Sequence, residues 1–163
     1  MRDPLPEARG RALVVGVGNA WRNDDRAGLE VARLLAGALP DGVGVLEREG
    51  EPTSLIDSWE GAEAVWLADA VSSGAAAGTV HRHDASSEPL PARLYDTSTH
   101  HFGLGEAVEL ARALGRLPKR VVVYGIEGAS FDTGETLSAV VREAAARVAE
   151  AIAEEVAACT RRP

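Results

Sequence analysis

Ala64-Val65-Trp66-Leu67-Ala68-Asp69-Ala70-Val71 is apolar at every position but Asp69. A continuous apolar run of this kind reads as a strand covered on both faces, the type found inside a parallel sheet. Ala12–Val17 and Arg120–Ile126 have the same character. Helical spacing fills the intervals between them. Leu29, Val31, Ala32, Leu34, Leu35 and Ala38 recur on one face over Arg26–Leu39, which Pro40 and Gly42 close. Leu104, Ala107, Val108, Ala111 and Leu114 mark a helix over Gly105–Leu114, and a long amphipathic helix runs from Leu137 to Val156. Val43–Leu46 is a short strand, Thr53–Trp59 a short helix and Thr79–His83 an edge strand, while Asp84–Thr99 reads as a long loop. Strand and helix alternate, which predicts an α/β fold: a three-layer sandwich with a mostly parallel, twisted central sheet of about five strands flanked by helices. No repeat or linker divides the chain. Residues 1–163 are expected to form a single domain, with 1–10 a flexible N-terminal segment and 159–163 a tail.

Composition narrows the function. The chain has 163 residues, 45% apolar and 26% charged, the profile of a globular domain with a real core. No apolar run is long enough to span a membrane, and Met1–Gly10 has no apolar centre of a secretory signal. A cytoplasmic location and no membrane partner are expected. The formal charge of −8 argues against nucleic acid as a partner, because phosphate contacts need a basic face. The single cysteine, Cys159, excludes an internal disulfide and a Cys-rich metal site. It reads as a buried helix residue rather than a nucleophile.

In sheets of this type, ligands bind beyond the carboxyl ends of the strands. Four groups of residues are expected there. Gly16-Val17-Gly18-Asn19 and then Asn23-Asp24-Asp25 follow the first strand. A dinucleotide fingerprint would need glycine at position 21, which is Trp21, so Gly18 and Asn19 read as a tight turn. Two adjacent Asp cannot both cap a helix, so one of Asp24 and Asp25 is left to face a cleft. Asp69 interrupts an apolar strand, and a carboxylate there must be near the strand end, paired or bound to something positive. His100 and His101 precede a helix. One imidazole beside two carboxylates is a ligand set that nickel or zinc accepts. Glu127 follows a strand and reads as a loop-bonding residue before a catalytic one. His81 and His83 share a face of the edge strand and read as surface residues.

Taken in order, Gly16-Val17-Gly18-Asn19, Asp24-Asp25-x-x-Gly28, Ala68-Asp69-Ala70, Ser98-Thr99-His100 and Tyr124-Gly125-Ile126-Glu127 resemble the hydrogenase maturation endopeptidases. The likeness runs from about Leu13 to about Val148. It implies a phosphorylase/hydrolase-like α/β fold. It also implies removal of a C-terminal extension from the large-subunit precursor of a [NiFe]-hydrogenase after nickel insertion. Carried over position by position, the residues that contact metal and carry catalysis are Asp25, Asp69 and His100, with Gly18, Asn19 and Asp24 shaping the cleft. Nickel is expected to arrive with the precursor, with no organic cofactor, and a monomer is expected. The first acidic ligand is often Glu in that family and is the shorter Asp25 here. Glu47–Pro52 replaces an Asp-Gly-Gly-type loop.

Two other classes remain open on the residues. A Gly-x-Gly-Asn start after an apolar strand also resembles peptidyl-tRNA hydrolases, although these need a basic surface. A non-enzymatic nickel-binding module would use the same Asp25, Asp69 and His100 without turnover.

Overall fold

The structure, a computed structural model, describes residues 11–95 and 103–161, with the side chains of Arg93 and Tyr95 outside the description. Its strands are β1 (Ala12–Val17), β2 (Gly44–Arg48), β3 (Ala64–Val71), β4 (Val80–Asp84) and β5 (Arg120–Glu127). They form one sheet in the order β2-β1-β3-β5-β4. Pairing is parallel for β1 with β2 and β3 and for β3 with β5, whereas β4 runs antiparallel to β5 along one edge. The three apolar runs take the three central places, where both faces are covered. The less apolar β2 and β4 take the edges.

Helices α1 (Ala27–Leu35), α2 (Pro52–Ser58), α3 (Ala92–Tyr95), α4 (Leu104–Ala113) and α5 (Ala139–Thr160) complete the chain. The sheet's two-residue alternation sorts them. Val14, Trp66, Ala68, Val122 and Ile126 pack beneath α1 and α5. Val15, Val65, Leu67, Val121 and Val123 pack beneath α2 and α4 on the other face. Helix α2 begins at Pro52, one residue before the expected start, because the Glu51 carboxylate accepts hydrogen bonds from Thr53 N (3.0 Å) and Ser54 N (2.8 Å) there.

Some boundaries differ from the sequence reading. Helix α1 stops at Leu35 rather than Leu39, since Ala36 leaves the helix (ψ 119°) and Gly37 takes a left-handed φ of 75°. Helix α5 runs on through Cys159 to Thr160, so that part of the supposed tail is helical, and Cys159 is half-buried within it. The loop expected over Asp84–Thr99 contains α3, and its residues 96–99 lie outside the described residues. So do residues 1–10.

One contact sets the height of α1 above the sheet. A Cβ on Gly28 would collide with the backbone oxygens of Ala68 and Val17, and one on Gly16 would collide with the backbone oxygen of Gly28. Backbone therefore rests on backbone, and α1 begins directly over the ends of β1 and β3. Gly28→Ala is expected to destabilise the fold by about 2 kcal/mol, because neither strand can yield to a methyl group. Thermal melting beside the wild type checks this, and an unchanged midpoint would contradict it.

Candidate active site

The loop after β1 is built on Gly18 and Asn19. Gly18 N donates to Arg48 O (3.0 Å), and a Cβ at Gly18 would strike the Asp25 carbonyl. Only glycine lets the chain fold back this tightly. Asn19 then braces the loop twice. Its backbone N donates to Asp25 Oδ2 (3.2 Å), and its side-chain Oδ1 accepts from Trp21 N (2.9 Å). The chain next makes a 3₁₀ turn over Asn23–Arg26, where Asn23 holds a left-handed φ of 41°.

That turn divides the two aspartates. Asp24 is inaccessible to solvent. Its carboxylate accepts hydrogen bonds from Ala129 N (2.8 Å), Ser130 N (2.9 Å), Ser138 N (2.7 Å) and Ser138 Oγ (2.7 Å). Burial alone would raise its pKa, but these donors, led by Ser138, outweigh burial and hold it below the ordinary carboxylate value. Asp24 is therefore the post to which the 129–138 loop is tied, and its side chain does not cap its own turn. Asn23 strengthens the tie, with Oδ1 accepting from Thr136 N (3.0 Å) and Nδ2 donating to Ser130 Oγ (3.2 Å).

Asp25 is half-buried and lies beside Asp69. Asp69 sits near the carboxyl end of β3, where it retains an opening to the surface although protein surrounds most of its carboxyl group. Burial first, and the Asp25 charge second, push the Asp69 pKa well above the ordinary carboxylate range, against a hydrogen bond from Ala70 N. The two carboxylates thus lie close enough for the charge of Asp25 to act on a poorly solvated Asp69. Such a pair keeps a proton or takes up a cation, since both cannot be ionised there at low cost. The donor set fits a divalent cation that accepts oxygen ligands. Among the described residues no group of three His, Cys, Asp or Glu side chains could hold a metal. The expected third ligand, His100, lies outside the described residues, as does His101.

The two other histidines correct the sequence reading. His81 and His83 do share one face of β4, but that face turns inward, and both are half-buried. His81 Nε2 lies 3.0 Å from Glu127 Oε1. Burial, and then the neighbouring His81 charge, lower the His83 pKa. Glu127 is itself only 1% exposed and accepts from Ser73 N (3.1 Å) and Ser73 Oγ. It fastens the β3–β4 turn to the sheet, the loop-bonding role expected of it. Alternation along β4 was the only sequence signal for the His81 pairing, since the partners lie 46 residues apart.

A family model described as HycI, hydrogenase maturation protease, matches residues 30–155, most of the chain. The chain belongs to the hydrogenase maturation protease family. The matched span contains Asp69 and starts beyond Asp25, so the assignment does not lean on the β1 loop. Among solved structures, the [NiFe] hydrogenase maturation protease HybD of Thermococcus kodakarensis is 30% identical. It superposes with a TM-score of 0.70 over 90% of this chain and 98% of that one. The hydrogenase-maturating endopeptidase HybD of E. coli has a TM-score of 0.75 at 24% identity, over 90% of this chain and 91% of that one, a likeness of fold. The hydrogenase expression/formation protein HupD of Rhodobacter capsulatus is 28% identical over 148 residues, which is 88% of this chain and 70% of that protein. Membership in a family of maturation proteases sets the tRNA-esterase alternative aside. The family's five-stranded α/β architecture, with helices on both faces of the sheet, agrees with the fold expected from sequence.

Proposed function

We propose that this maturation protease removes the C-terminal extension of a [NiFe]-hydrogenase large-subunit precursor, and that it does so once nickel has been inserted. The single observation that carries the metal part of this reading is the Asp25–Asp69 pair. Asp69 is held above its ordinary pKa beside a second carboxylate, and no basic residue among those described offsets its charge. A divalent cation presented by the substrate would supply that charge. Asp25 and Asp69 would engage it, with His100 proposed as the third contact. Nickel so held offers Lewis-acid polarisation of a carbonyl or a more acidic bound water. The chain's own contribution is to orient the precursor and to handle the proton. Burial and the Asp25 charge favour the protonated form of Asp69, and an engaged cation would favour its carboxylate. Its carboxylate is then available to accept the proton of the attacking water. Asn19 keeps Asp25 in place through its backbone N–H.

The test is intact-mass analysis of a nickel-loaded precursor incubated with the protein, beside a nickel-free control. Loss of a C-terminal peptide from the loaded sample alone is the expected result. Equal cutting of both samples would remove nickel from the mechanism. Cutting of neither, with tight nickel binding by the protein itself, would favour the non-enzymatic nickel-binding module. The chain has no described helix long and apolar enough to cross a membrane. We propose a cytoplasmic protease acting as a monomer on this one protein substrate.

A further inference from the structure

Trp21 enters the sequence reading only as the residue that breaks a glycine fingerprint. In the structure it is the most exposed large apolar side chain among the described residues, at 63%. The other two tryptophans, Trp59 and Trp66, are buried. A mobile loop would explain an exposed indole without further cause, but this loop is fixed on both sides of the residue. Trp21 N donates to Asn19 Oδ1 (2.9 Å), and Trp21 O accepts from Gly134 N (2.8 Å). Next to it, Arg22 Nε donates to Phe131 O (3.2 Å), and Asn23 N donates to Gly134 O (3.0 Å). The strap between the β1 loop and the 129–138 loop thus holds the Trp21 backbone at a set position, from which the indole is open to solvent.

That position is tied to the aspartate pair through one residue, Asn19. Asn19 holds the Trp21 backbone with its side chain and the Asp25 carboxylate with its main chain. The chain from Trp21 to Asp25 reaches at most about 15 Å, which an extended peptide crosses in about five residues. A rigid, exposed aromatic ring on a fixed backbone loses little entropy when it is covered, which is what makes tryptophan an interface anchor.

We propose that Trp21 is the apolar anchor for the hydrogenase precursor, covered by an apolar side chain of the precursor within about five residues of the bond that is cut. This rests on the processing function proposed above. It assigns the carboxylates to the metal-bearing end of the substrate and Trp21 to the grip on the polypeptide.

The experiment measures binding and turnover separately. Calorimetry with nickel-loaded precursor is run on Asp69→Asn, which is expected to hold the substrate uncut, and on the same variant carrying Trp21→Ala or Trp21→Phe. The Kd is expected to rise at least tenfold for Ala and less than threefold for Phe. With Asp69 intact, Trp21→Ala is expected to raise KM by a similar factor and to leave kcat within twofold. A Kd within twofold of the parent for Trp21→Ala would overturn the anchor, and so would a loss confined to kcat. If the wild type binds the precursor but never cuts it, the processing function fails while the Kd comparison still decides the role of Trp21. An exposed side chain contributes little to folding, so the melting midpoint of Trp21→Ala should match that of the wild type.

Discussion

Asp69→Asn lowers the rate of precursor processing by at least about 1000-fold and leaves the protein as stable as the wild type, or more so. The two halves of this expectation have one cause. Asp69 is poorly solvated and faces Asp25, so its ionised form is disfavoured in the folded state. Its folded pKa lies above its unfolded value. The folded state therefore binds more protons, and stability falls as pH rises from the ordinary carboxylate range through the raised pKa. An amide of the same shape removes that cost and with it the charge that would meet a cation. The gain in melting temperature over the wild type should be absent in acid and largest above the raised pKa. Paired assays of precursor cleavage and thermal melting across pH test both halves. Retained cleavage would sink the role of Asp69. A variant that melts lower at neutral pH would sink the electrostatic account of its setting.

Asp24→Ala has the opposite profile. Removing this carboxylate strands the amides of Ala129, Ser130 and Ser138 and the Ser138 hydroxyl away from solvent. Each unmade bond to a buried donor costs about 1–3 kcal/mol, and some are recovered when the loop relaxes. A loss of about 4 kcal/mol is expected, or roughly 8–16 °C in melting temperature for a domain of this size. The pH dependence follows from the sign of the shift. Asp24 is held below its unfolded value, so its contribution is complete above the unfolded pKa and is lost as pH falls through the folded one. The gap between wild type and variant should therefore close in acid. Denaturant unfolding at neutral and acid pH measures it, and a gap that does not change with pH would contradict the assignment. Asp24→Ala should also release the 129–138 loop, with faster amide exchange at Ala129 and Ser130.

The contrast between these neighbours shows what the sequence could and could not tell. The three central strands were legible because burial on both faces leaves no room for polar residues, and no other element in the chain produces that pattern. Asp69 was legible for the same reason, as the single violation. The adjacency of Asp24 and Asp25 revealed that their roles must differ. It did not reveal that Asp24 serves a loop more than 100 residues away, since that depends on how Ser130 and Ser138 return over β1. The His81–Glu127 contact was hidden in the same way. Only the antiparallel register of β4 on β5 brings that ring to that carboxylate. The exposure of Trp21 had no local sign, because it depends on how the 129–138 loop meets the β1 loop.

The seating of α1 on the sheet has a consequence for how this protein can vary. Where side chains separate a helix from a sheet, each substitution between them shifts the helix by a fraction of an ångström. Here Gly28 meets the main chain of β1 and β3 directly, and Gly16 meets Gly28. The spacing is set by parts that every sequence shares, as a machined stop sets the travel of a slide. Asp25 sits just before that stop, on the near side of α1, and Asp69 lies on the strand beneath it. Residues deeper in the two cores can then be exchanged, or the whole fold made more heat-resistant, without altering the gap between the two carboxylates.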